Sequence, residues 1–333
     1  MESYEARVHS GFPDGKPDVS DPRVLAWLIR RNGLEMTHLS RGSHIGSVLS
    51  VAEIIAVLYT SVLNVDPKDP KKPDRDRLIL SKGHAGSAVY SALAETGFFP
   101  VEQLKTHYAN GSALSGHVSH KGVPGVEVST GALGHGLGIG VGMALGAKMD
   151  GAAWRTYVVT GDGECDEGSV WESALQAAQY GLDRLIAVVD YNHMQSLTTV
   201  EKTLRLEPFE QKWRDFGWNA ESVDGHDTEA LRAAFARAKD NAGSGKPSVI
   251  LAHTVKGKGV SFMENNILWT HLYRQAEHRQ RLLVLYLLTN KVTPCFIVLI
   301  GFVHPLGLNT NRCTITPFQI AVGAYKLNSG NIG

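Results

Sequence analysis

Two short motifs place oxygen ligands directly after apolar runs of the chain. Gly161-Asp162-Gly163 follows the run 157–160, and Asn192, thirty positions after Asp162, follows the run 185–190. If both runs are parallel strands of one sheet, the two side chains lie at its carboxyl edge, where glycines let backbone approach a phosphate. Carboxylate, amide and carbonyl oxygens suit a hard divalent cation, so Mg2+ or Ca2+ fits better than zinc. An ordinary turn and an unrelated asparagine are the alternative, but the paired spacing favours a metal-diphosphate site.

Four histidines lie in glycine-bearing loops: His44, His84, His117 and His135. Imidazole titrates near neutrality, donates to phosphate or hydroxyl oxygens and transfers protons, so several histidines in one cleft would suit a sugar phosphate. His84 has the strongest claim, because it starts a predicted helix and helix N-termini bind anions. For any single histidine, a surface or capping role is the alternative.

A glycine-rich run at 129–140 resembles a dinucleotide-binding fingerprint only superficially. No window within it has the strict Gly-x-Gly-x-x-Gly spacing, so nicotinamide binding is not expected. The run instead predicts a glycine-rich entrance to a helix of small residues at 141–148, which could pack closely on a cofactor or on a twin helix. Tight helix packing alone would also explain the glycines.

The apolar spacing predicts alternating strands and helices. Helical spacing occurs at 21–39, 49–63, 85–96, 168–181 and 228–241, and strand patterns occur at 77–81, 157–160, 185–190 and 248–253. The stretch between 190 and 228 is polar, and no strand is predicted there. This alternation indicates an α/β fold, a doubly wound parallel sheet with helices on both faces that binds its ligand at the carboxyl ends of the strands.

The composition is typical of a globular protein with a real core: 333 residues, 43% hydrophobic and 20% charged. Lysine plus arginine and aspartate plus glutamate number 33 each, so no overall field favours nucleic acid or an acidic membrane surface. The three cysteines, Cys165, Cys295 and Cys313, are too scattered for a disulfide framework. Because the segment 1–5 also lacks the features of a signal peptide, the cytoplasm is the expected location.

The last part of the chain differs from the rest. No acidic residue follows Glu277, and the apolar blocks 282–288 and 295–303 are too short to span a bilayer. Either they are buried strands, or the segment is foreign to the ancestral domain, as a frameshift would produce. The abrupt change in composition favours the second interpretation. We therefore expect a domain at 1–271 and an atypical tail at 272–333.

Five stretches, in order, closely resemble the amino-terminal, diphosphate-binding part of the transketolase family. They are 42–46, 76–84, 124–134, 161–168 and 254–259, and the resemblance covers roughly 20–271. It implies the thiamine diphosphate-binding fold. It also implies that Asp162, Asn192 and the main-chain carbonyl of Met194 hold Mg2+ or Ca2+, with Gly163 against the diphosphate.

The same resemblance implies further site residues. His84 corresponds to a histidine near the diphosphate and the substrate, and His44 and His117 to histidines that contact ketose hydroxyls and assist proton transfer. Gly131 and Leu133 correspond to backbone that lines the cofactor.

Two further correspondences concern the assembly and the carboxyl-terminal end of the domain. Glu167 is similar to a glutamate that communicates across the family's dimer interface. The family also has a substrate histidine after a tryptophan, for which His271 is the nearest candidate, although its spacing is off by one.

In this family a second domain supplies the glutamate that contacts the aminopyrimidine ring, and nothing after His271 resembles that domain. The resemblance therefore implies the amino-terminal subunit of a split transketolase of the pentose phosphate pathway. It would transfer a two-carbon ketol unit from a ketose phosphate to an aldose phosphate. A carboxyl-terminal subunit would carry the pyrimidine-binding domain, in a dimer of heterodimers. The alternatives are a split enzyme for another sugar phosphate or carbonyl donor and a non-catalytic remnant that binds cofactor.

Overall fold

Five parallel strands form one sheet in the computed structural model, which describes residues 17–267. The expectations for His271 and for the tail 272–333 lie outside the described residues. The order across the sheet is β1-β2-β3-β5-β4. The strands are β1 (Arg77–Leu80), β2 (Thr156–Gly161), β3 (Leu185–Tyr191), β4 (Asn219–Asp224) and β5 (Ser248–His253).

Both faces of the central strands of this sheet are buried. Every residue of β2 and β3 is buried, as expected for near-continuous apolar runs in a parallel sheet. Because successive side chains point to opposite faces, Val158 and Ala187, which are register partners, contribute to one core, while Val159 and Val188 contribute to the other.

Helices cover the two faces and complete a doubly wound α/β fold, as the sequence predicts. Helices α1, α2, α3 and α8 pack into one core, and α4, α5 and α7 into the other. The helices are α1 (Pro22–Ser40), α2 (Ile45–Val57), α3 (Gly86–Glu95), α4 (His135–Met149), α5 (Gly168–Gln179), α6 (Val200–Thr203), α7 (Phe209–Asp215) and α8 (Thr228–Asp240).

Helix α2 is strongly apolar and lies within the first of these cores. With the wider turn that follows it, the stretch Ile45–Val62 is long and apolar enough to cross a membrane, but 83% of it is buried inside the protein. All thirteen residues of α2 are buried. Its composition is therefore that of a core helix.

Three boundaries differ from the sequence-based expectations. Helix α2 begins at Ile45 rather than at residue 49, so part of the expected loop is helical. Helix α4 begins at His135 rather than at residue 141, which places much of the glycine run inside the helix. The polar stretch before residue 228 contains the edge strand β4, whose residues are all at least partly exposed and give no clear apolar alternation.

Close packing explains why α4 starts in glycines despite their low helix propensity. A Cβ atom added at Gly136 would lie 2.8 Å from the backbone Cα of Ser81, and one added at Gly140 would lie 2.5 Å from Cγ2 of Val158. These two glycines therefore let α4 lie directly on β1 and β2. Gly142 is different, because an added Cβ there meets nothing within 4 Å among the described residues.

The two kinds of glycine predict opposite effects of alanine. Gly136→Ala should lower the free energy of unfolding by about 1–3 kcal/mol, because the methyl group overlaps Ser81. The matched variant Gly142→Ala, in the same helix, should leave it unchanged or raise it by up to about 1 kcal/mol. Urea denaturation of both variants measures the difference. Equal effects would contradict the packing argument.

Candidate active site

A cleft of about 410 Å³ opens at the carboxyl end of the sheet. It is lined by six of the residues that the sequence singles out, and they come from four separate segments of the chain. These are His84, Leu133, Asp162, Gly163, Asn192 and Met194.

Two strand ends position the predicted oxygen ligands. Asp162 follows β2, and its Oδ1 and Oδ2 accept hydrogen bonds from the backbone N–H groups of Gly163 (2.7 Å) and His193 (2.5 Å). Asn192 follows β3, and its Oδ1 accepts a hydrogen bond from Met194 N at 3.1 Å. His193 has a left-handed backbone, with φ 61°, which turns the chain back toward Asp162. Hydrogen bonds thus join the two turns.

The Asp162 carboxyl group lies in an environment that disfavours its charge. It is 2% exposed, and burial together with the neighbouring Asp190 raises its pKa to about 6, although the Gly163 N–H and Lys82 oppose the shift. A nearby cation stabilises an ionised carboxylate more in this buried environment than it would at an exposed position. A divalent cation placed beside Asp162 would therefore be stabilised by the ionised carboxylate at neutral pH.

A buried charge network, which the sequence did not predict, lies beneath the cleft. The Lys82 ammonium donates to Oδ2 of Asp190 at 2.5 Å, and both side chains are almost fully buried. Asp190 also accepts hydrogen bonds from the hydroxyls of Ser50 (2.6 Å) and Thr254. Burial opposes ionisation of Asp190, but Lys82 and these hydroxyls lower its pKa. Lys82 belongs to the stretch 76–84, in which the sequence predicts a site role for His84 alone.

A second lysine reaches the cleft from the segment after β5. Lys256 is buried, and its Nζ donates to the carbonyl oxygens of Met194 and Gln195, each at 3.2 Å. Burial and the nearby Lys82 lower its pKa to about 8. The expected metal-binding carbonyl of Met194 thus already faces a cation. The stretch 254–259 carries part of the family resemblance, but the sequence predicts no role for Lys256.

Glu164 joins three elements around the cleft. Its Oε1 accepts hydrogen bonds from Gly134 N (2.9 Å) and from the Ser81 hydroxyl, and its Oε2 accepts one from Gly161 N (3.1 Å). These contacts connect the end of β1, the start of α4 and the end of β2. Burial raises the pKa of Glu164.

Three of the four loop histidines come together. The His44 ring lies 5.2 Å from the His84 ring and 5.8 Å from the His117 ring, measured between centroids. Burial, followed by Lys82 and the neighbouring histidines, holds the pKa of His84 well below its usual value, so this imidazole is neutral. His135 is exposed at the start of α4, outside the cluster.

Two other predicted residues border these groups. A Cβ added at Gly131 would lie 3.2 Å from the His117 ring, so the backbone passes directly beside that histidine. Glu167 is exposed before α5 and does not line the cleft. His271 lies outside the described residues.

The donor chemistry of the cleft fits a hard cation together with a diphosphate. One carboxylate, one amide oxygen and one carbonyl are suitable ligands for Mg2+ or Ca2+, and the two lysines suit an anion. Within residues 17–267, no group of three or more His, Cys, Asp or Glu side chains is arranged to hold a metal ion. A cation bound by Asp162 would therefore take oxygens from elsewhere, as a diphosphate provides.

Comparison with known proteins agrees with this chemistry. Residues 23–271 match the family described as "Transketolase, thiamine diphosphate binding domain". The chain is 45% identical over 247 residues to the 6-deoxy-6-sulfo-D-fructose transketolase subunit SqwG of Clostridium sp. (strain MSTE9), a match covering 74% of this chain and 89% of that protein. It is 43% identical over 248 residues to an apulose-4-phosphate transketolase subunit of Phocaeicola vulgatus, covering 74% and 87%.

A solved structure shows the same fold. The transketolase of Campylobacter jejuni matches with a TM-score of 0.70 and 30% identity over 76% of this chain, but the match covers only 40% of that transketolase. This chain therefore spans most of two proteins named as subunits and less than half of the Campylobacter protein. The chain belongs to the transketolase family of thiamine diphosphate-dependent transferases.

Proposed function

We propose that this chain is the amino-terminal subunit of a split transketolase, which transfers a two-carbon ketol unit from a ketose phosphate to an aldose phosphate. The observation that carries the proposal is the single cleft in which Asp162, Asn192 and Met194 lie together with His84. The high coverage of two relatives named as transketolase subunits supports a separate subunit. Their names, one for a sulfonated fructose and one for apulose 4-phosphate, support a sugar with an anionic group as the substrate class.

The proposed metal site consists of the Asp162 carboxylate, the Asn192 side-chain oxygen and the Met194 carbonyl, with Mg2+ or Ca2+ as the cation. The Gly163 backbone and Lys256 lie where the diphosphate would bind, and Gly131 and Leu133 line the cofactor. When bound, thiamine diphosphate supplies the nucleophilic carbon that carries the two-carbon unit.

The histidine cluster is proposed to bind the sugar and move its protons. His84 is neutral and lines the cleft as a partly buried side chain, so it can both donate and accept a hydrogen bond near the diphosphate and the substrate. His44 and His117 contact ketose hydroxyls and take up or release a proton as the ketol unit is transferred. His271 is proposed as a further substrate contact on the family resemblance alone.

The other half of the site is proposed to come from a carboxyl-terminal subunit with the pyrimidine-binding domain, in a cytoplasmic dimer of heterodimers. The exposed position of Glu167 is compatible with its expected place at a subunit interface.

We also propose that the ancestral domain ends at residue 271, since the family match ends there. Translation of the gene in other frames past codon 271 tests whether the tail 272–333 arose by frameshift: a more acidic, helix-forming sequence in another frame would support this origin.

Reconstitution tests the proposed function. The full-length chain is mixed with the product of a neighbouring gene that carries a pyrimidine-binding domain, thiamine diphosphate and Mg2+, and ketol transfer is assayed with several sugar phosphates and sulfonates. We expect turnover with both chains and none with either chain alone. Cofactor binding without turnover with any partner would favour the alternative, a non-catalytic remnant. The accepted sugar separates a pentose phosphate transketolase from an enzyme for another sugar.

A further inference from the structure

A partly buried histidine outside the cleft connects two distant parts of the protein. His226 lies between β4 and α8, and its side chain is 13% exposed. Its Nδ1 lies 3.0 Å from Oε2 of Glu53, and its Nε2 lies 2.8 Å from the backbone nitrogen of Val255. Because Val255 N–H is a donor, Nε2 must be the acceptor, and the ring proton therefore lies on Nδ1 and points to Glu53.

The charge state of Glu53 fixes this arrangement of the ring. Arg30 makes two hydrogen bonds to the Glu53 carboxylate, at 2.5 and 2.6 Å. Burial opposes ionisation of Glu53, but Arg30 and His226 outweigh it and lower its pKa to about 2. The carboxylate is therefore an acceptor at all ordinary pH values. It keeps the proton on Nδ1 and leaves the Nε2 lone pair for Val255.

Val255 lies in the segment that brings Lys256 to the cleft. Strand β5 ends at His253, so the N–H of Val255 is beyond the sheet ladder and receives its acceptor from His226. On one side Thr254 donates to Asp190, and on the other Lys256 donates to the Met194 and Gln195 carbonyls. A shift of Val255 would move both neighbours, because they are joined to it by single peptide units.

We propose that His226, oriented by Glu53, is a positioning residue that fixes the segment 254–256 so that the Lys256 ammonium stays at the diphosphate end of the cleft. The inference rests on the proposed cofactor site, but it assigns a role to a histidine that contacts neither the cleft nor the expected metal ligands. A purely structural role, in which His226 only stabilises the start of α8, is the competing explanation.

Variants at position 226 separate the two nitrogen atoms of the ring. The amide of glutamine extends as far as Nε2 and can accept from Val255, whereas the amide of asparagine extends only as far as Nδ1 and reaches Glu53 alone. We expect His226→Ala and His226→Asn to raise the Kd for thiamine diphosphate, measured by calorimetry with the full-length chain in saturating Mg2+, at least tenfold. His226→Gln should stay within threefold of the unaltered chain.

A matched control tests the structural explanation. Asp227 is the neighbouring N-cap of α8, and its Oδ1 accepts from the backbone of Glu229 and Ala230. Asp227→Ala should lower the Tm, because the helix loses its cap, yet leave the Kd for thiamine diphosphate unchanged. If His226→Ala and Asp227→Ala instead lower cofactor affinity in proportion to their loss of Tm, the positioning role is wrong.

A double-mutant cycle shows whether His226 acts through Lys256. In a Lys256→Met background, His226→Ala should change the Kd less than twofold, because the group that it positions is gone. An equal loss in both backgrounds would overturn the proposal, as would unchanged affinity of the folded His226→Ala or His226→Asn chain. Absence of any binding by the unaltered chain, both alone and reconstituted with the carboxyl-terminal subunit, would overturn the proposed cofactor site itself, and this inference with it.

Discussion

Asp162→Ala is expected to abolish metal-dependent binding of thiamine diphosphate. Asp162 is the one carboxylate in the proposed donor set with Asn192 and Met194, and the amide and carbonyl dipoles that remain cannot balance a divalent cation and a diphosphate. We expect the Kd in the presence of Mg2+ to rise at least about 100-fold, which corresponds to about 3 kcal/mol. Calorimetry with Mg2+, and again with EDTA, measures how much of the affinity depends on the metal.

Asp183→Ala is the matched control at the opposite end of the sheet. Asp183 precedes β3, and its Oδ2 accepts from the backbone of Gly243 (2.7 Å) and Gly245 (3.1 Å). Its loss should destabilise that turn without changing cofactor affinity. If Asp162→Ala binds the cofactor within threefold of the unaltered chain, the proposed metal site is wrong.

The stability of the metal-free protein should respond to Asp162→Ala with a recognisable pH dependence. Because burial and Asp190 raise its pKa from 3.8 to about 6, the folded chain binds this proton more tightly than the unfolded chain does. The resulting stabilisation is fully present below pH 3.8 and is lost as the pH rises through about 6, a change of up to about 3 kcal/mol. The alanine variant lacks this loss. In EDTA, the free energy of unfolding of the variant minus that of the unaltered chain should therefore be larger at pH 7.5 than at pH 5. Urea denaturation of both chains at the two pH values measures this difference.

The positions of the proposed oxygen ligands at one edge of the sheet could be predicted because they depend on local sequence. Apolar runs locate β2 and β3, and in a parallel sheet the residues after such strands share one edge, which brings Asp162 near Asn192. The partner of Lys82 could not be predicted in this way. Asp190 is 108 residues away, and the pairing depends on the order of β1, β2 and β3 in the folded sheet. The contacts of Lys256 could not be predicted for the same reason, since its carbonyl partners belong to the turn after β3.

Boundaries were less predictable where packing opposes local preference. Glycine disfavours helix, so the sequence placed the start of α4 after the glycine run, whereas contact with Ser81 and Val158 requires glycines inside the helix. Strand β4 lies at the edge of the sheet, partly exposed, and its alternation is therefore too weak to recognise. Both differences arise from neighbours that are distant in sequence.

The Lys82–Asp190 pair should be among the most sensitive positions of the molecule. Asp190→Ala leaves the Lys82 ammonium buried without its carboxylate, and Ser50 and Thr254 without their common acceptor. Loss of one partner of a buried ion pair costs about 3–5 kcal/mol. We expect a loss of that size in the free energy of unfolding, from urea denaturation in EDTA, for Asp190→Ala and a comparable loss for Lys82→Met. A change below about 0.5 kcal/mol, the usual range of surface substitutions, would contradict the assigned burial.

The double variant Lys82→Met with Asp190→Asn should separate stability from function. With both charges removed, neither is left uncompensated, so the variant should be at least about 1.5 kcal/mol more stable than the sum of the effects of Lys82→Met and Asp190→Asn, each measured alone, predicts. It should nevertheless bind thiamine diphosphate at least tenfold more weakly, because the cleft has lost the Lys82 cation and the Asn192 amide no longer donates to a carboxylate. The ion pair Arg75–Glu127, which does not line the cleft, supplies the control: Arg75→Met with Glu127→Gln should leave cofactor affinity unchanged. If the Lys82–Asp190 double variant binds the cofactor normally, the pair serves the fold alone. If the double variant stays as unstable as the single variants, the loss in free energy of unfolding is determined by the buried hydroxyls of Ser50 and Thr254 rather than by the charges.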